Sequence, residues 1–215
     1  MSRLRNIQNT LDRWGFARWF WSALMRTIRP WFFLARLQRI PLERNHDHAH
    51  DDIVIRKATR DELLQAAIEL PTEMDPEFIE AALERGDLGT AAFDGDLLVG
   101  FIWAAFSQAP HDDGLWVSIE APYVYGYKSF VREAYRGRRL LSRLAYARDQ
   151  MCLAQGRFAN VGFVETHNFA SHRAGLHAGA DDIGLVGYVR LFGKSYPFRT
   201  PTAARTTFRF YRLDD

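Results

Sequence analysis

Val131-Arg132-Glu133-Ala134-Tyr135-Arg136-Gly137-Arg138-Arg139-Leu140-Leu141 is the stretch from which the fold of this chain is read. Aromatic and β-branched residues precede it from Tyr123 to Val131, as in a strand. After it, Leu140, Leu144, Ala147, Met151 and Ala154 recur at i, i+4, i+7, i+11 and i+14, one face of a helix. The order is strand, short basic loop, helix. A helix start carries unpaired N–H groups and the positive end of the dipole, so it suits a phosphate. Arg136, Arg138 and Arg139 add charge at the same point, and a pyrophosphate is the ligand expected there.

At these residues the chain resembles the GNAT superfamily of N-acetyltransferases. The family motif is Arg or Gln, two residues, Gly, one residue, then Gly or Ala, after a strand that often ends in Val. Arg136 and Val131 fit, whereas Arg139 and Leu141 stand where the small residues belong and Gly137 is the loop's one glycine. Downstream, Asn168-Phe169-Ala170-Ser171 and Gly179-Ala180 follow the family's later pattern of Asn, two residues, Ser, and a glycine closing a helix. Capping chemistry alone also suits Asn168 and Gly179. The resemblance covers residues 53 to 212. It implies a mixed α/β fold, a twisted mixed sheet with a split central strand, and acetyl-CoA as acyl donor, with no metal. It also implies that backbone at Phe130 and Val131 pairs with the pantetheine arm. Arg136, Gly137, Arg138, Arg139 and Leu140 would hold the pyrophosphate, with Asn168 and Ser171 in the cofactor-binding set.

The family often carries a carboxylate or histidine base on the central strand. Here Tyr125 stands near that position, but a phenol with a pKa near ~10 is a poor base and would act through water. Glu120, just before the strand, is the nearest carboxylate and the preferred base, with a solvated loop residue as the alternative. The family's tyrosine acid is replaced by Gly175. Glu165 and His167 are candidates for substrate contact, and His172 and His177 lie on the helix that follows.

Length allows one domain and an appendage, and 47% hydrophobic with 25% charged residues is ordinary for a soluble globular chain. One cysteine excludes an internal disulfide and suits a cytoplasmic setting; Cys152 reads as a packing residue. The charge is uneven. Residues 1 to 42 hold eight arginines against the single Asp12, a net +7, while residues 53 to 215 hold 19 basic and 21 acidic residues, a net −2.

Residues 1–45 read as a basic, Trp/Arg-rich helical arm. Leu4, Ile7, Leu11, Trp14, Trp21, Met25 and Ile28 fall mainly three, four or seven residues apart. Pro30 ends or kinks that helix, and Trp31 to Ile40 is expected to form a second one. No run is long enough to span a bilayer. Three roles stay open: contact with an anionic membrane surface through residues 4–40 (a peripheral place on the inner face), packing on the domain or a homodimer, and nucleic-acid binding, for which nothing suggests base readout. Residues 46–52, with His46, His48 and His50, read as a polar linker in preference to a metal site.

Residues 53–215 form the expected acyltransferase domain. Ile53 to Lys57 is a strand; Thr59-Arg60-Asp61-Glu62 is a capping box opening a helix to Leu70; Asp75-Pro76 opens the next, to about Arg85. Asp94-Gly95 joins strands over 89–93 and 97–106. Residues 107–120 read as an irregular loop. Ala159 to Thr166 is a strand, Asn168 to Ala178 a helix, and 183–192 with 206–213 a closing antiparallel pair.

The expected function is N-acyl transfer from acetyl-CoA to a small-molecule amine, such as an amino sugar or glycan precursor. The rivals are transfer of a longer acyl chain at a membrane, as in N-acyl amino acid synthases, and an inactive scaffold with the same fold.

Overall fold

A computed structural model describes residues 15–43, 52–112 and 114–213. Its framework is an eight-stranded sheet in the order β10-β9-β1-β8-β7-β4-β3-β2. The strands are β1 (Phe32–Pro41), β2 (Val54–Lys57), β3 (Leu88–Asp94), β4 (Leu97–Ala105), β7 (Tyr123–Val131), β8 (Ala159–Glu165), β9 (Asp181–Leu191) and β10 (Lys194–Arg199). Every neighbouring pair is antiparallel except β7 and β8. That one parallel pair joins two antiparallel halves through only two register positions, Tyr123↔Ala159 and Val124↔Asn160.

Five helices are described: α1 (Phe16–Ile28), α2 (Arg60–Glu69), α3 (Pro76–Glu84), α4 (Leu140–Leu153) and α5 (Phe169–His177). The two faces of β4 divide the core, with the alternation broken at Val99, where the register with β3 shifts between Ala92 and Phe93. Phe101 and Trp103 pack with Leu63, Met74 and Ile79 under α2 and α3, whereas Val99 and Ile102 meet Leu140 and Leu144 of α4. On the other half, Phe33 and Leu37 of β1 and Tyr188 of β9 pack on Phe208 and Phe210. A small sheet covers this cluster, in the order β11-β6-β5, from β5 (Gln108–Pro110), β6 (Leu115–Ser118) and β11 (Arg209–Arg212).

Local chemistry sets the element starts. Thr59 accepts from Glu62 N–H while Glu62 accepts from Thr59 N–H, so both members of the capping box are made. Asp75 caps α3 with Pro76 at its first turn, and Asn168 caps α5 through Ser171 N–H at 3.1 Å.

Three expectations are corrected. Trp31 to Ile40 does not make a second helix: residues 32–41 are strand β1, hydrogen-bonded between β8 and β9. Alternate burial of Phe33, Ala35 and Leu37 is a period of two, and it decides against the helical spacing. Residues 107–120 are not irregular, because β5 and β6 pair there. The closing pair is β9 with β10, not β9 with the last strand; β11 pairs with β6. Residues 4–14 of the arm and the histidines of 46–50 lie outside the described residues.

Candidate active site

Beyond Val124, β7 has no strand partner on its β8 side among the described residues. Two features open that wedge. Asn160 Oδ1 accepts Gly126 N–H at 2.7 Å, so a side chain replaces the next ladder bond. A Cβ at Gly126 would overlap the guanidinium of Arg148, whose buried ion pair with Asp149 (2.5 Å) lies beneath the strand. Further along, the register with β4 jumps between Trp103↔Tyr127 and Ile102↔Ser129, leaving Lys128 as a bulged residue at φ 40°. A bulge bends its strand and increases its twist.

A cleft of about 640 Å³ lies farther along, at the end of β7. Ser129, Phe130 and Val131 form one wall, Arg136, Gly137 and Arg139 with the first turn of α4 another, and Glu73 stands across. Gly137 (φ 79°) and Arg139 (φ 56°) are both left-handed, and Arg139 is the N-cap residue of α4 with no side chain capping the helix. The first-turn amides of a 14-residue helix therefore lack a side-chain acceptor beside the cleft. Leu140 turns its side chain inward, 2% exposed, against the core, so it leaves the approach to these amides clear. Arg136 Nε donates to Val131 O at 3.2 Å, and Arg138 lies over the Tyr135 ring at 5.3 Å. Arg132 belongs to the scaffold, donating to Leu98 O and to Glu69.

Other candidates fall elsewhere. Asn168 and Ser171 do not line this cleft; Asn168 borders a 300 Å³ hollow with Glu165, His167 and Arg26. Glu120 is exposed at the opposite end of β7, before the cis Ala121–Pro122 bond, with its N–H donating to Thr207 Oγ1 at 3.0 Å. Tyr125 is buried, its ring stacked on Tyr127 at 5.8 Å, and burial raises its phenol pKa further above the ordinary value.

A carboxylate unmarked by the sequence reading sits beside the same strand. Asp87, just before β3, accepts Tyr127 O–H at 2.7 Å and Arg85 Nη2 at 2.8 Å, both through Oδ2. Its Oδ1 is buried with no hydrogen-bond partner among the described residues. Burial raises its pKa against the opposing pull of Tyr127 and Arg85, and the Tyr127 phenol is raised by burial and then by Asp87. The one sequence signal was a charge directly abutting an apolar run, Asp87 before Leu88.

A larger concavity, about 960 Å³, lies on the other half of the sheet, lined by Trp21, Arg36, Phe169 and Asp182 among others. Arg18, Arg39 and Arg205 also line it and Arg36 lies 3.6 Å from Asp182, but it touches neither the α4 start nor the basic loop. The smaller cleft is therefore the candidate site. No group of metal-ligating side chains occurs among the described residues.

No protein-family model and no curated protein sequence matches the chain. Among solved structures, a Drosophila protein from a structural-genomics programme is similar at TM-score 0.51 and 11% identity, over 75% of this chain and 52% of that one. The chain thus spans about half of that protein's length. A GNAT-family N-acetyltransferase (YhbS) from Escherichia coli in complex with CoA is similar at TM-score 0.45 and 16% identity, over 79% and 86% of the two chains. The aminoglycoside acetyltransferase AAC(6')-Iy with a bisubstrate analogue reaches 0.45 and 17%, over 61% and 90%.

Proposed function

We propose that the chain is a GNAT-type N-acyltransferase that moves an acetyl group from acetyl-CoA to the amine of a small molecule. One observation carries this reading: β7 parts from β8 and leads straight into a cleft built from its own free edge, a basic loop and an uncapped helix start. An extended amide arm fits a bare strand edge, and a pyrophosphate fits α4's first turn with Arg136 and Arg139 beside it. The neutral amine attacks the thioester carbonyl; the C–N bond forms, the C–S bond breaks, and the thiolate leaves with its electron pair. The amine proton passes to the Tyr127 oxygen as the Tyr127 proton moves to Asp87, which takes the basic role first sought in Glu120 and Tyr125. An amino sugar or glycan precursor is the acceptor class tested first.

A second reading has its own support. Phe16, Phe20 and Leu24 project apolar side chains outward from the arm, which suits work at an anionic membrane surface, narrowed from residues 4–40 to the part before the inner strand β1, and there a longer acyl donor. Titration calorimetry with CoA, acetyl-CoA and a long-chain acyl-CoA, followed by turnover with an amine panel, tests both. Arg136→Ala and Arg139→Ala should each weaken CoA binding by about 1–3 kcal/mol. Failure of every donor to bind leaves the inactive scaffold.

A further inference from the structure

The hairpin between β9 and β10 carries a residue that its turn does not ask for. Leu191 pairs with Lys194, so Phe192 and Gly193 are the two turn residues, at φ 50° and 74°. Two positive φ angles in a two-residue hairpin call for Asn-Gly or Asp-Gly. Phenylalanine there is strained, and its side chain is 99% exposed, so neither backbone nor core explains it. Leu191 beside it is half exposed.

This tip adjoins the arm. Arg190 N–H donates to Trp31 O at 2.7 Å, which holds Trp31, itself 61% exposed, next to the hairpin. Upstream, Phe16, Phe20 and Leu24 follow at i, i+4 and i+8 on the outer side of α1. They are not the core face of the helix. That face is already occupied: Met25 and Ser22 are buried, and Trp21 Nε1 donates to Thr166 Oγ1 at 3.2 Å. Lys194 flanks the tip, whereas Arg29 turns to the domain, 3.5 Å from Glu165 and over the Phe33 ring.

We propose that the Leu191–Phe192 tip inserts beside Trp31 into the headgroup layer of an anionic bilayer, as a second contact next to the outer stripe of α1. The inference rests on the proposed membrane role of the arm and adds an element from the far end of the chain. Charge selects this occupant over a second copy of the chain. Residues 1 to 42 carry a net +7 and keep a basic excess after Arg29, Arg36 and Arg39 pair with Glu165, Asp182 and Asp181; a two-fold contact would set that excess against itself, and an anionic surface would neutralise it. Aromatic rings with flanking cations are the composition that settles at headgroup depth.

Flotation of the full chain with phosphatidylglycerol and with phosphatidylcholine vesicles tests it. The wild type should float with phosphatidylglycerol alone and release as salt is raised. Phe192→Asn gives the turn its preferred residue, so thermal stability should hold or rise while partitioning falls about tenfold. Opposite movements of stability and binding separate the proposal from a folding defect. Wild-type flotation retained in Phe192→Asn removes the hairpin from the interface and leaves the arm reading standing. A wild type that never floats overturns both. A dimer in sedimentation that Phe192→Asn dissolves assigns the tip to a second copy and also overturns the proposal.

Discussion

Tyr127 and Arg85 both donate to one oxygen of Asp87, at 2.7 and 2.8 Å, while its other oxygen is buried without a partner among the described residues. Strand β7 and the start of β3 thereby share one carboxylate across β4. A buried charge with half its acceptor capacity unused is costly, and burial accordingly raises the Asp87 pKa. A raised pKa makes a carboxylate a stronger base.

Asp87→Asn should therefore lower kcat by roughly 10²–10⁴ with CoA affinity unchanged. Because the base works deprotonated, wild-type kcat should rise with pH through the raised Asp87 pKa, and that limb should vanish in Asp87→Asn. Tyr127→Phe should lose most of the rate, and Glu120→Gln should keep it. A variant that loses stability but keeps the wild-type pH profile would reduce Asp87 to a scaffold residue.

Gly126 is the point where β7 leaves β8, and its backbone is held by Asn160 while Arg148 fills the space a Cβ would need. Gly126→Ala should push the Arg148–Asp149 pair out of place and destabilise the chain by about 1–3 kcal/mol. Urea denaturation gives the value. A midpoint equal to the wild type would mean that Arg148 moves freely, against its burial.

The central strand, the basic loop and α4 were legible in the sequence because each rests on local signals: β-branched and aromatic residues, one glycine, and a sustained helical period. The capping box at Thr59 and the cap at Asn168 were legible for the same reason. Strand β1 was not. Trp31 to Ile40 has apolar residues at both periods, and only pairing with β8 and β9, at least 118 residues away, selects the strand. Asp87 was missed because its partner Tyr127 lies 40 residues off and meets it only when the sheet forms. Of the two residues standing where the resembled motif has small ones, Arg139 takes the left-handed conformation a glycine would take, whereas Leu141 is half exposed and lines the cleft.

Arg139 combines a strained backbone with a charge beside the helix start. A non-glycine residue at φ 56° costs about 1–2 kcal/mol. Arg139→Gly relieves that strain but frees the unfolded chain, so stability should stay within about 1 kcal/mol of the wild type. CoA affinity should nonetheless fall, because the guanidinium is gone. A Tm that moves little with a Kd that rises identifies a binding role. Equal losses in both would assign Arg139 to folding alone.

His111 offers a pH test on the other half of the molecule. Its ring sits among Phe33, Phe163, Tyr188 and Phe210, with centroids 4.8 to 5.9 Å away. Burial lowers its pKa to about 4; Asp112 opposes the shift, and Arg29 and Arg190 reinforce it. In the unfolded chain the group titrates near ~6.5, so between pH 6.5 and 4 the unfolded state binds more protons than the folded one. Stability must then rise with pH across that window, and acidification from pH 7 to 4 should cost on the order of 2–3 kcal/mol from this residue. His111→Phe keeps an aromatic ring in the nest and removes the titration. Urea midpoints at pH 7.5, 5.5 and 4.5 should diverge, with the variant losing less than the wild type as the pH falls. Parallel losses in the two proteins would place the acid sensitivity in the carboxylates and leave His111 without a part in it.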